Sequence, residues 1–410
     1  MSPVRPQHLL RRSRRLPAST HRDMSALTVR ASRPVLLASA GIGVVGVTFG
    51  MARYGFGLLA PDIRASFGLG SAALGLLAAA SYVAYLATSV TAGVLSALLG
   101  PRAMVAAGGV CAVAGMTIAG LAQTPSVLFA GLLVAGASAG LVFPPFSDLV
   151  ARQLPADRRS RVLSAISSGT GWGVALAALV VLAAGVDWRT AWLLFALIAA
   201  AATGWALVVL PGRETSRDPA GVVALRLRWF LCPRSGPLLT GALLVGLASS
   251  VYWTFAVDHL VIDGGLSSTQ SRMFLVVVGV ASVGGTVAGD AVRRLGGRVT
   301  FTLAVAAEAA ALLLLGLAPG HVGAAIASAV LFGAAYNVVL AVQAIWSGQV
   351  FRQRPSAGLA AAMAMNGLGF LLGPPISGAV ADHIGFAAVF AAAAAVLLAT
   401  TTLAPREALE

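Results

Sequence analysis

The sequence predicts an all-α integral membrane protein of twelve transmembrane helices, arranged as two pseudo-symmetric six-helix bundles. Three observations carry that expectation. Hydrophobic residues make up 58% of the 410-residue chain and charged residues only 10%, at a mean hydropathy of +0.88, whereas an ordinary soluble domain carries roughly 25% charged residues. A window of about 19 residues finds twelve apolar runs, each long enough to cross about 30 Å of hydrocarbon as a helix. The basic residues alternate with those runs so that nearly all fall on one side.

There is no lysine, all 28 basic residues being arginine, and the net charge is +14 with a pI near 11.5. In a soluble protein such a balance points to nucleic acid, so the placement of the charges has to decide. With a cytoplasmic N-terminus, 24 arginines fall inside, only Arg64, Arg189 and Arg272 fall outside, and Arg53 is within a span. Without the eight arginines before residue 34, 16 still oppose three. This asymmetry places both termini in the cytoplasm of a multi-pass cell-membrane protein and leaves no role for nucleic acid.

Residues 1–33 are rich in arginine and lack the apolar core of a secretory signal. They read as a disordered cytoplasmic segment that lies on anionic lipid, or as upstream of a true start at Met24. Span 1 (35–60) belongs to a run from Pro34 to Pro61 that reads as one helix. Its Gly43, Gly46, Gly50, Arg53 and Gly57 recur every three or four residues and so share a face, where small residues admit a second backbone or leave a groove. GIGVVG (41–46) matches GxGxxG, with Asp62 placed 21 residues beyond its first glycine. No strand precedes it, so helix packing is the reading rather than a dinucleotide site.

Arg53 stands in FGMARYGFGLLAP, eight residues before Pro61, or about 12 Å below the outer boundary at 1.5 Å per residue. Charge at that depth costs on the order of 3 kcal/mol on insertion scales. Two roles stay open: a structural one, snorkelling or locked to a buried carbonyl or acid, and an anion-binding or gating one. The acids within reach of such a lock are Asp62 and Asp258 near the outer ends of spans 1 and 7, Asp148 and Asp290 near the inner ends of spans 4 and 8, and Glu308 within span 9.

Spans 2 (72–95) and 3 (103–122) flank GVLSALLGPR (93–102), which holds Gly93, Gly100 and Arg102. In span 4 (126–149), FPPF at 143–146 should break or kink the helix. Asp148 and Arg152 are four residues apart there, suiting a pair at the membrane boundary or a proton carrier. Span 5 (162–184) carries Trp172 in GTGWG, and span 6 (190–210) follows VDWRTAWLLF. The polar stretch 211–236, with five arginines, is the cytoplasmic loop between a bundle at 34–210 and a second at 237–405, followed by a tail at 406–410.

Span 7 (237–257) carries Tyr252 and Trp253, which face a cavity or join the outer aromatic belt. Span 8 (271–292) runs into GDAVRRLGGR (289–298), with Gly289, Arg293, Gly296 and Arg298. Glu308 in span 9 (299–318) must be neutral or paired at that depth. It can face lipid, hold a neighbouring helix or carry a proton. Span 10 (322–349) contains Tyr336, Asn337, Gln343, Trp346 and Ser347, of which Tyr336, Gln343 and Ser347 share a face suited to hydrogen-bonding a small molecule. Span 11 (357–380) holds Asn366 in MAMNGLG, and span 12 (384–404) closes the chain.

The halves echo each other. FGLGS (67–71) matches GGLSS (264–268) at an offset of 197, Gly93/Gly100 match Gly289/Gly296 at 196, and Gly169/Gly171 match Gly367/Gly369 at 198. Parallel six-helix repeats of this kind build one large class of secondary transporters. The chain thus resembles the major facilitator superfamily (MFS) over residues 34–405. GVLSALLGPR and GDAVRRLGGR are similar to its GxLaDrxGrr loop, with Ala97 and Arg293 where aspartate is usual and Leu98 for a basic residue. Leu132, four before Gly136, stands where many proton-coupled members carry arginine. VDWRTAWLLF and GPPISGAVADHIGF (373–386) resemble its span 6 start and its span 11–12 junction. ARYGFGLLAPDIRASFGLG is similar to the YbfB/YjiJ-like branch.

The resemblance implies alternating access around a cavity lined by spans 1, 4, 7 and 10, a monomer, and a proton-driven small-molecule cargo. Arg53, Phe49, Tyr252, Trp253, Tyr336, Asn337, Gln343, Trp172 and Asn366 are the cavity candidates, and Glu308 and Asp148 the proton-coupling candidates. The loop glycines would allow tight helix approach during the exchange. Arg53 leans toward an organic anion, and the scarcity of acids in the cavity-lining spans leans against a dedicated organic-cation exporter; export of hydrophobic compounds or metabolites is the alternative transport reading, and a membrane sensor or scaffold the alternative without transport. No GxxxxGK[ST] or HExxH is present, the five histidines form no close pair, and Cys111 on a span and Cys232 in a cytoplasmic segment suit no disulfide and lack metal-ligand spacing. No enzyme activity, cofactor or metal is expected.

Overall fold

The computed structural model describes residues 34–212, 234–352 and 355–405. The N-terminal segment, most of the central loop with Cys232, and the C-terminal tail lie outside the described residues. Among the described residues there is no strand, and twelve helices are long and apolar enough to cross a membrane. They are α1 (Pro34–Phe67), α2 (Ser71–Leu99), α3 (Pro101–Gly120), α4 (Pro125–Gln153), α5 (Ala156–Ala184) and α6 (Trp188–Val209), then α7 (Ser235–Ile262), α8 (Ser268–Leu295), α9 (Gly297–Leu317), α10 (Val322–Val350), α11 (Pro355–Ile384) and α12 (Phe386–Thr400).

Short turns join most successive helices, and local chemistry sets where several begin. Pro125 opens α4 behind Thr124, whose hydroxyl accepts from the Val127 amide at 3.4 Å. Ser267 and Gln270 form a reciprocal capping box at α8. The twofold repeat appears in the backbone itself: Gly68 and Gly265 follow α1 and α7 at φ 63° and 65°, and Gly100 and Gly296 share φ 80° and ψ 158°. Gly100 and Gly296 thus serve as positive-φ corners; a side chain at Gly296 would meet nothing within 4 Å, and one at Gly289 nothing closer than Arg293, 4.0 Å away, so neither of these two makes the tight helix approach expected of it. Arg102 donates to the Leu210 carbonyl at 3.2 Å, Arg293 pairs with Asp290, and Arg298 is exposed.

Three further expectations are corrected. The first span is not one regular helix ending near Pro61: it turns π-helical over Gly46–Met51, passes a turn at 52–54, and continues as α-helix through Pro61 to Phe67. Arg53 therefore sits at the break, 14 residues before the outer end of the span at Phe67 rather than eight before Pro61. The glycines split their partners there, with Gly46 and Gly50 against Gly169 and Gly173 of α5, and Gly57 against the Trp253 carbonyl of α7. FPPF does not break α4, which runs through Pro144 and Pro145. The helix that does break is α8, which tightens to 3₁₀ geometry over Val283–Val287.

α1–α6 and α7–α12 form the two sets of six, and they meet where α1 faces α7, α2 faces α11, and α5 faces α8. The end of the molecule bearing Arg64, Arg189 and Arg272 is called the Arg64 face, and the opposite end the Arg102 face.

Candidate functional site

A cavity of about 680 Å³ lies between the halves, within the range of small-molecule pockets. Its walls are Val45, Phe49, Arg53 and Tyr54 of α1, Tyr85 of α2, Phe143 of α4, and Arg159 to Thr170 of α5. The second half contributes Ser282, Gly285 and Thr286 at the α8 break, Tyr336, Asn337, Leu340 and Gln343 of α10, and Met363 and Asn366 of α11. Arg159, Leu163 and Leu359 stand at the Arg102 face, so the cavity opens there and ends blindly at Arg53.

Arg53 is 7% exposed. Its guanidinium carbon lies 4.2 Å and 4.5 Å from the ring centres of Tyr85 and Tyr82, and 5.4 to 5.6 Å from those of Tyr54, Phe370 and Phe49. Desolvated cation–π contacts are worth up to roughly 2 kcal/mol each, enough together to offset an insertion cost on the order of 3 kcal/mol. The rings hold the charge without neutralising it. Among the described residues no acid pairs with Arg53, and its Nε has no hydrogen-bond partner.

Every acid named above as a possible lock is engaged or placed elsewhere. Asp258 takes Arg64 at 2.6 Å, Asp62 lies 3.7 Å from Arg272, and Asp290 holds Arg293. Glu308, fully buried, accepts from the Ser249 hydroxyl of α7 at 3.0 Å while its Oε1 is unpartnered; it faces neither lipid nor cavity. Asp148 is exposed and forms no ion pair with Arg152.

Phe49, Arg53, Tyr336, Asn337, Gln343 and Asn366 are brought together on the cavity. Asn337 also donates to the Ser282 carbonyl at 2.9 Å, satisfying the backbone where α8 changes geometry. Three candidates lie apart. Trp172 is 47% exposed on the outer surface of α5. Tyr252 is buried behind the wall, stacked on Phe332 at 3.7 Å and bonded to Ser328 at 2.9 Å. Trp253 is buried against Tyr54, with centroids 4.2 Å apart; neither belongs to an aromatic belt. Sequence reasoning missed Tyr82, Tyr85 and Phe370, because aromatics in an apolar span carry no signal until a charge is known to lie among them. The three-residue spacing of Tyr82 and Tyr85 was the available hint.

Beyond Arg53 the Arg64 face is shut by contacts between the halves. Arg64 clamps Asp258 and also donates to the Leu69 carbonyl and the Ser71 hydroxyl. Asp382 of α11 accepts from the Ser71 and Ala72 amides at 2.7 and 2.9 Å, capping α2 from the other half. Tyr54 and Tyr336 meet hydroxyl to hydroxyl at 3.2 Å, and Tyr82 stacks on Phe370 at 5.0 Å. Among the described residues these contacts separate the cavity from the Arg64 face.

Residues 42–289 and 238–407 match the family model described as Major Facilitator Superfamily. The chain belongs to that family. It is a multi-pass MFS transporter of a small molecule and not an enzyme. Among curated proteins, Monocarboxylate transporter 11 of Homo sapiens is 28% identical over 383 residues, covering 88% of this chain and 80% of that one. Among solved structures, a point mutant of the nucleoside transporter NupG matches with a TM-score of 0.75 at 14% identity, covering 89% of this chain and 98% of that one. A second NupG structure, without the mutation, gives a TM-score of 0.72 at 14% identity, over 91% and 97% of the two chains. At that identity the likeness concerns the fold alone, and the MFS architecture is what it shares.

Proposed function

We propose that this MFS transporter moves a small organic monocarboxylate by alternating access, driven by the proton gradient. The observation that carries the reading is Arg53: a buried guanidinium at the blind end of the cavity with no acid partner among the described residues. A buried charge is stable when paired, and a carboxylate matches the guanidinium fork better than any neutral group. The name of the human relative agrees with a single carboxylate. The charge asymmetry supports a cytoplasmic Arg102 face at the cell membrane; on that reading the cavity opens inward, and a monomer works by rocking its 34–210 and 237–405 bundles about the site. The coupling proton rests on the family expectation. Glu308 is the acid to test, since Asp148 is exposed.

The apolar walls formed by Phe49, Phe143, Leu163 and Leu340 favour a second reading, export of hydrophobic compounds, in which Arg53 is structural. Uptake of labelled benzoate and lactate into proteoliposomes under an imposed pH gradient separates the two. Arg53→Gln is expected to weaken anion affinity at least tenfold, about 1.4 kcal/mol, with Arg53→Lys intermediate. Unchanged affinity in Arg53→Gln would sink the anion role.

A further inference from the structure

The cavity holds a second set of unpartnered polar groups. Ser164, Ser167 and Thr170 of α5 recur at three-residue intervals along its wall, a row of about 9 Å at 1.5 Å per residue. In a helix such hydroxyls ordinarily donate to a carbonyl one turn back. The neighbouring cavity residues do so: Ser168 to Ala165 at 2.7 Å, Ser282 to Val278 at 2.7 Å, and Thr286 to Val283 at 2.9 Å. The side chains of Ser164, Ser167 and Thr170 form no hydrogen bond among the described residues. Across the cavity, Gln343 is 3% exposed and its Nε2 has no partner. The row is also directional. Thr170 lies level with Gly50, which its carbonyl approaches, three residues before Arg53, whereas Ser164 lies near Arg159 at the mouth.

We infer that Ser164, Ser167, Thr170 and Gln343 form a specificity subsite for the body of the cargo, which is an elongated monocarboxylate bearing hydroxyl or keto oxygens along one edge. The inference rests on Arg53 holding the carboxylate. With that end fixed, the row runs beside the rest of the molecule toward the mouth, and the apolar residues of the remaining walls pack its carbon skeleton. A buried amide such as that of Gln343 is costly unless a ligand or water satisfies it. A site built with such groups discriminates against a cargo that lacks the matching oxygen.

Binding to the purified full-length chain is measured calorimetrically with two matched pairs, 4-hydroxyphenylacetate against phenylacetate and 6-hydroxyhexanoate against hexanoate. The oxygenated member is expected to bind about tenfold tighter or better. Combining Ser164→Ala, Ser167→Ala and Thr170→Val should bring that ratio to within about twofold of one, with the melting temperature of the unliganded variant as the folding control. A ratio of one in the wild type, or a preference surviving in the triple variant, overturns the subsite. If both members bind equally and Arg53→Gln abolishes both, the anion reading stands and the row is only the wetted wall of an inward vestibule. If no member binds the wild type, the anion reading fails and the subsite with it.

Discussion

Arg53 and Glu308 are both ionisable side chains in the membrane interior, and their surroundings differ in kind. Arg53 is ringed by five aromatic faces and borders the cavity, so its charge has a place to be met. Glu308 is sealed between α9 and α7 with one donor, Ser249, and no cation among the described residues. Glu308→Gln retains an acceptor for Ser249 but cannot gain or lose a proton. It is expected to abolish uptake driven by a pH gradient while sparing counterflow exchange, and unchanged gradient-driven uptake would reduce Glu308 to a tie between the two helices. Glu308→Ala leaves Ser249 without a partner and should lower stability by about 1–3 kcal/mol, read as a fall in melting temperature. That Arg53 and Glu308 needed an explanation was legible in the sequence from their cost in hydrocarbon. Their neighbours were not, because Tyr82, Phe370 and Ser249 come from distant helices.

Among the elements, the twelve helices were legible from apolar length, and their ends in part from turn and cap chemistry. Asp187 before α6 shows how local such an end is: its carboxylate accepts from the Arg189 amide at 2.8 Å, the Thr190 amide at 3.2 Å and the Thr190 hydroxyl at 2.9 Å. The hydrogen bonds from Thr190 hold that carboxyl below its ordinary range. A depressed folded value means the stabilisation is complete above the unfolded value, about 3.9, and is lost as pH falls through the folded one. The melting temperature of the wild type should therefore drop on acidification below about pH 4 relative to Asp187→Asn, which caps without titrating; parallel curves would refute the assignment. The breaks in α1 and α8 were not legible. The π turn at Gly46–Met51 lies where Gly46 and Gly50 meet the α5 backbone, and the freed Ser282 carbonyl in α8 is answered by Asn337 of α10. Both are settled by a partner helix that local sequence does not name.

At the scale of the whole molecule, the halves are tied at one end and apart at the other. The loops at the Arg102 face carry Ala97 and Arg293 where the family usually has aspartate, while the Arg64 face holds Arg64–Asp258, Arg272–Asp62 and the Asp382 cap on α2. Asp258→Asn removes the charge that Arg64 clamps and should shift the population toward a state open at the Arg64 face. Spin labels at Thr124→Cys and Gly320→Cys, in a cysteine-free background, would report a longer separation across the Arg64 face. An unchanged distance distribution would show that the aromatic and glycine contacts close that face alone.

The sequence by itself determined the solvent, the number of crossings, the repeat and the odd charge in the first span, because each depends on composition, period or offset along one chain. Only the tertiary structure decided that Asp258 belongs to Arg64, that Arg53 is left to aromatic rings, and that Gln343 and the α5 hydroxyls face the same cavity. Those facts arise where helices far apart in sequence approach within hydrogen-bond distance, and the unbroken apolar run that makes a helix membrane-spanning does not specify which helix stands beside it.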